Sequence, residues 1–151
     1  GIIYAWDVVN EQIEPDDFHP EKNPGSVRYT CNNKNTGWYN IFQGDISYIT
    51  QSFVFANRYA PKDIKLFYND YNDADPVKRD AICVLLRQIK DTKGARIDGM
   101  GMQAHYHMEF PSVEQIREAV YMYSSIVNEI QFTEFDMQSS KVMTDQTASW
   151  S

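Results

Sequence analysis

The chain has 151 residues, of which 42% are hydrophobic and 23% charged, enough for one domain with a real core. A formal net charge of −7 argues against nucleic acid and against an anionic membrane as partner, because both call for a basic surface. No apolar run is long enough to span a bilayer.

Taken in chain order, the first apolar run joins Ile2, Ile3, Tyr4, Ala5, Trp6, Val8 and Val9, then stops at Asn10 and Glu11. The polar stretch after it, through Lys34, is long for a strand-to-helix connection, and residues 12–37 read as a functional loop or an insertion. Phe42, Ile46, Ile49 and Phe53 then repeat with helical spacing. A second apolar run, Ile64 to Tyr68, ends at Asn69-Asp70-Tyr71-Asn72. Asp75-Pro76 opens a second helix as N-cap and first helical residue. Ala81, Leu85 (or Val84) and Ile89 mark its buried stripe, and Lys93-Gly94 is the expected close. A third run, Ile97 to Met102, carries Gly99 and Gly101, where small residues permit close approach, and ends at Gln103-Ala104-His105. Ser112-Val113-Glu114-Gln115 is a capping-box pattern before Ile116, Val120, Tyr123 and Val127. On that helix the face of Glu114, Arg117 and Glu118 reads as solvated. The last run, Glu129 to Phe135, contains Thr133 and Glu134 and leads to Asp136.

Strand and helix therefore alternate, as in a parallel sheet with helical crossovers. A doubly wound sheet and a (β/α)8 barrel both fit, and both gather functional residues at the C-terminal ends of strands. No glycine-rich phosphate loop follows a strand, which disfavours the nucleotide-binding sheet. Cys31 lies in the long loop and Cys83 in the second helix; one disulfide or two free thiols are both open, and no zinc spacing is present. The chain starts at Gly1 and ends "DQTASWS", which reads as an interior piece of a longer polypeptide with no visible signal peptide.

All four apolar runs end in chemically capable residues, a composition that suits a substrate rich in hydroxyls. Two carboxylates without a metal box suggest glycoside hydrolysis, in which one carboxyl donates a proton and the other attacks or activates water. Glu11 reads equally as a loop carboxylate. Glu134 sits in an apolar run, where a buried carboxylate needs partners or a purpose. His105 by itself reads as a core histidine, and His105 with His107 is too weak a pair to imply a metal. Asp7 and Asp70 read as carboxylates that hold loop amides.

The motifs "WDVVNE", "KLFYNDYN", "DGMGMQAHYH" and "QFTEFDM", with Trp38-Tyr39 between them, resemble glycoside hydrolase family 10, the endo-β-1,4-xylanases, in order and spacing. The resemblance implies α/β architecture as part of a (β/α)8 TIM barrel, covering strands four to seven with three helices. It implies that residues 1–151 are the C-terminal part of one catalytic barrel, incomplete by itself, since such a barrel needs about 250 residues. It makes Glu11 the general acid/base and Glu134 the nucleophile of a retaining mechanism. Asn10 then meets the hydroxyl beside the anomeric carbon. Gln103 and His105 contact the nucleophile and the sugar, Asp136 supports His105, and Tyr71 and Asn72 lie on the leaving-group side. No metal and no organic cofactor are implied. The implied partners are xylan or xylo-oligosaccharide and the complementary part of the same enzyme, and the implied location is secreted or cell-surface. The runner-up is a catalytically incomplete half-barrel that binds glycan or packs on a complementary segment.

Overall fold

The computed structural model describes residues 3–14, 30–31, 34–35, 38, 41–43 and 45–139. Its frame is β1 (Ala5–Asn10), α1 (Ser47–Tyr59), β4 (Lys65–Asp70), α2 (Pro76–Asp91), β5 (Gly99–Met102), α3 (Val113–Ser124) and β7 (Glu129–Phe132). Two short pairs complete it. The pair β2 (Thr30–Cys31) and β3 (Lys34–Asn35) is antiparallel, whereas β6 (His105–His107) and β8 (Asp136–Gln138) run parallel.

The four main strands form one parallel sheet in the order β1-β4-β5-β7, so that strands consecutive in the frame are neighbours in space. This is the parallel sheet expected from the alternation, in the strand order of the partial barrel that the resemblance implies. The side chains of β4 divide between its two faces, as the pleat requires. Leu66 and Tyr68 join the core beneath the helices, with Met100 and Met102 beside them. Ile49 and Phe53 of α1, Leu85, Leu86 and Ile89 of α2, and Ala119 and Tyr123 of α3 close that layer. The other face of the sheet is narrow at β5. A Cβ on Gly99 would fall 2.2 Å from the Phe67 ring, and one on Gly101 would fall 2.4 Å from Asn69 Oδ1. Both glycines thus make room for side chains of β4.

The helix signals hold in most details. Asp75 caps α2 by accepting from the N–H groups of Val77 and Lys78, each at 3.0 Å, a cap that typically stabilises by about 1 kcal/mol. Ser112 and Gln115 form the reciprocal capping box of α3. Leu85 rather than Val84 faces the core. Three expectations need correction. Helix α2 ends at Asp91 with Thr92 as C-cap, because the Thr92 side chain and N–H turn back onto the Gln88 and Ile89 carbonyls; Gly94, at φ +87, belongs to the turn beyond. Glu118 is not merely solvated, since it pairs with Arg79 of α2 at 2.7 Å. The last apolar run leaves the sheet at Phe132, so Glu134 lies past the strand instead of inside it.

Within residues 12–37 the described parts are Gln12 to Glu14 and the small β2–β3 pair; the rest of that loop lies outside the described residues. Cys83 is a buried free thiol, while the side chain of Cys31 lies outside the described set. At the far, N-terminal end of β5, Asp98 accepts from Leu66 N at 2.9 Å and pairs with Arg96, which ties that end of the sheet together. The outer strands β1 and β7 each have one sheet neighbour, and Ile3, Tyr4, Trp6 and Phe132 are exposed along them.

Candidate active site

Parallel strands in register bring their C-terminal ends to one rim. Backbone bonds carry the ladder past the strands themselves: Glu11 N to Asn69 O (2.9 Å), Gln103 N to Asp70 O (2.9 Å), Thr133 N to Met102 O (2.9 Å) and Glu134 N to Gln103 O (3.2 Å). Two residues turn the chain there with left-handed backbone, Glu11 at φ 55 and Ala104 at φ 61. For a residue with a side chain this costs about 1–2 kcal/mol, so the surrounding contacts must hold it.

On this rim, side-chain amides join Glu11 to Glu134. Gln103 Nε2 donates to Glu11 Oε1 at 2.9 Å and to Asn10 Oδ1 at 3.3 Å. Asn69 Nδ2 donates to the same Asn10 Oδ1 at 3.0 Å and to Glu134 Oε1 at 3.2 Å. Thr133 Oγ1 donates to Asn69 Oδ1 at 2.8 Å and so fixes the orientation of that amide. Asn69 and Gln103 are each only 3% exposed, which makes them a rigid seat beneath the two carboxylates. With two donors on its oxygen, Asn10 has its amide NH2 on the other side of the group.

On the other flank of Glu134 stands His105. Its Nδ1 lies 2.7 Å from Asp136 Oδ2 and its Nε2 lies 3.3 Å from Glu134 Oε2. The β6–β8 register places His105 opposite Asp136. His105 is therefore a rim residue with a side chain 42% exposed, not a core histidine. The Asp136 hydrogen bond is the largest cause that raises its pKa above the ordinary value; burial, next in size, opposes it, and the Asp136 charge with the hydrogen bond and charge of Glu134 complete the rise. Glu134 itself is 47% exposed, which overturns the expectation of a buried carboxylate. His107 is taken up by β6 and the turn to Phe110, whose carbonyl accepts from its N–H at 2.7 Å. Among the described residues no group of three metal-ligating side chains converges.

Tyr71 and Asn72 stand apart from this network. Tyr71 donates to Glu14 Oε2 at 2.8 Å, and its ring lies under Lys78 Nζ, 3.3 Å from the centroid. Asn72 is exposed, at φ 47, and its carbonyl accepts from Asp75 N. Asp70 holds loop amides as expected, accepting from Tyr71 N at 2.9 Å and Ile13 N at 3.3 Å. Asp7 is exposed on β1; partial burial and the nearby Glu134 charge raise its pKa.

Asn69 is the residue that sequence reasoning undervalued. It appeared there only as one polar strand ending among several. The available signal was Gly101, directly across the ladder from it, which leaves the space its amide fills.

The chain is similar to known proteins. The chain is 41% identical, over 98% of its length, to endo-1,4-beta-xylanase A of Caldicellulosiruptor sp. (strain Rt8B.4), and spans 19% of that protein. Among solved structures it matches a psychrophilic glycoside hydrolase family 10 endo-beta-1,4-xylanase with a TM-score of 0.79 and 37% identity, covering 94% of this chain and 40% of that one. It also matches the N-terminal endo-1,4-beta-D-xylanase 10B of Clostridium thermocellum, solved with xylohexaose, with a TM-score of 0.76 and 34% identity, covering 89% of this chain and 26% of that one. The chain thus spans less than half the length of each protein it matches here. The model of glycosyl hydrolase family 10 matches residues 1–150, and the chain belongs to that family.

Proposed function

We propose that this chain carries the catalytic carboxylates of an endo-β-1,4-xylanase that works by double displacement with retention. The observation that carries the reading is the amide network linking Glu11 to Glu134 through Gln103, Asn10 and Asn69. Glu134 attacks the anomeric carbon while Glu11 protonates the departing oxygen. Water then enters, Glu11 takes its proton, and the glycosyl–Glu134 bond breaks. Asn69 and His105 hold the two oxygens of Glu134 from opposite sides, which suits a nucleophile that must stay oriented. Asn10 directs its amide NH2 toward the sugar hydroxyl next to the reacting carbon. Tyr71 and Asn72 take the leaving-group side. The two-carboxylate route draws on no metal and no organic cofactor.

Xylan or xylo-oligosaccharide is the proposed substrate, in keeping with the endo-1,4-beta-xylanase name of the relatives. A polymeric substrate favours a secreted or cell-surface enzyme. Residues 1–151 act as the C-terminal part of a single catalytic barrel, completed by a complementary segment. The exposed residues of β1 and β7 support this, as does a cavity of about 470 Å³ beside β1 lined by Val8, Val9, Trp38, Phe42 and Phe55. By itself the chain is a half-barrel that binds glycan weakly.

The test is Glu134→Ala in the completed enzyme. It should lower kcat on an aryl xylobioside by about 10⁴- to 10⁶-fold, the cost of losing a covalent nucleophile. Azide should restore turnover and give the glycosyl azide of inverted configuration. A variant as active as its parent would end the proposal.

A further inference from the structure

We propose that Tyr68, Asp70 and Lys78, which lie beneath the rim, are positioning residues for Glu11. They act by clamping the three residues that follow it. The inference rests on the acid/base reading of Glu11 given above.

The cluster is fully buried. Tyr68, Asp70 and Lys78 are each 0% exposed, and Lys78 Nζ lies 2.7 Å from Asp70 Oδ1. The Tyr68 hydroxyl donates to Asp70 Oδ2 and accepts from the N–H groups of Gln12 (3.0 Å) and Ile13 (3.2 Å). One donor and two lone pairs are all that a phenol has, so this hydroxyl is fully used. Asp70 Oδ2 takes a share of Ile13 N at 3.3 Å. Ile13 itself is 0% exposed and anchors the loop in the core. Lys78 extends the clamp by one residue, because it sits on the ring of Tyr71, whose hydroxyl holds Glu14. Gln12, Ile13 and Glu14 are thus each tied to this cluster.

Glu11 is the residue just before them, and it has left-handed backbone. Its other neighbour, Asn10, is held in the amide network. A side-chain-bearing residue keeps such a conformation only where both flanks are held. Stability alone is a poor reason for this cluster. A buried Lys–Asp pair bears a large desolvation cost, and well-packed apolar residues often replace one without loss. What apolar residues cannot do is accept the N–H groups of Gln12 and Ile13. Burial of the carboxylate raises the pKa of Asp70, while Lys78 opposes the rise and favours the charged acceptor that the loop needs.

The experiment compares Tyr68→Phe with the parent in the completed enzyme, on a xylo-oligosaccharide and on a dinitrophenyl xylobioside. Acid assistance matters for the first leaving group and little for the second. Active sites are counted by labelling with a 2-fluoro xylobioside inactivator and mass spectrometry. Tyr68→Phe should lose about 10- to 100-fold in kcat/KM on the oligosaccharide, the cost of misplacing a reacting group by up to about 1 Å, with little loss on the dinitrophenyl substrate and unchanged labelling. Asp70→Asn keeps the side-chain volume and should show the same selectivity. Equal loss on both substrates, no loss on either, or loss that follows the labelled fraction in both variants would overturn the proposal. Glu11→Ala is run alongside. If that variant shows no leaving-group dependence, the acid/base reading fails, and not the clamp alone.

Discussion

Glu11 and Glu134 follow the two outer strands of the same sheet, yet they are held in different ways. Glu11 is followed by a loop fastened to a buried charge cluster, and its amide partner Gln103 is 3% exposed. Glu134 shares the buried Asn69, but its other flank is His105 and Asp136, with side chains 42% and 56% exposed. The inner strands β4 and β5 supply the buried contacts in both cases. The outer strands deliver the carboxylates, and the inner strands orient them. On the Glu134 side the other side-chain restraint is the solvent-facing contact with His105, an ion pair when the ring is protonated, which is weak and sensitive to salt.

The largest test of this contrast is Asn69→Ala, which deletes a buried side chain that bonds to both Asn10 and Glu134. It removes bonds to Asn10, Glu134 and Thr133. The expected cost is about 2–3 kcal/mol of stability, by urea denaturation, and about 10²-fold in kcat/KM. Both classes of leaving group should slow together. Slowing confined to the poor leaving group would assign Asn69 to the acid side alone. Gly101→Ala is the next step down. Its Cβ would meet Asn69 Oδ1 at 2.4 Å and Thr133 Cγ2 at 3.0 Å, at a cost of about 1–3 kcal/mol. If the clash is chiefly with the amide, the double variant with Asn69→Ala should cost clearly less than the sum of the two. Additive costs would place the strain elsewhere.

The order of strands and helices was legible because short apolar runs alternate with helical stripes, and because Asp75 and Ser112 are strong local caps. The polar strand endings were legible for the same reason, since each interrupts an apolar run. The network between them was not. It joins residues 59 to 93 positions apart, and a one-residue change of register would aim every one of those side chains at the other face. The β6–β8 pair was hidden too, because three-residue strands carry too little periodicity to read. That omission is why His105, read alone, looked like core: its partner Asp136 comes from a strand that was not foreseen. Glu134 misled in the opposite direction, since Phe135 and Met137 after it are apolar yet exposed beyond the end of β7.

The smallest expected effect lies on the exposed flank and concerns protonation. His105 Nε2 faces a Glu134 oxygen at 3.3 Å while Nδ1 faces Asp136 at 2.7 Å. A neutral ring can give a proton to only one of them, so the doubly protonated ring is the form that satisfies both. The hydrogen bond to Asp136 is the largest cause of the raised pKa, and Asp136→Asn should therefore lower it, as read by an NMR titration of the ring protons. A raised histidine pKa contributes stability that is fully present below the unfolded value of 6.5 and is lost as pH rises through the folded value. Parent and Asp136→Asn should thus differ most in stability on the acid side and converge at alkaline pH, by at most about 1 kcal/mol for so exposed a pair. An unchanged titration would make Glu134 the group that governs His105. Added salt separates the two flanks further. It should lower the His105 pKa toward its ordinary value, because those charges face water, and it should leave the leaving-group selectivity of Tyr68→Phe intact, because Asp70 and Lys78 do not.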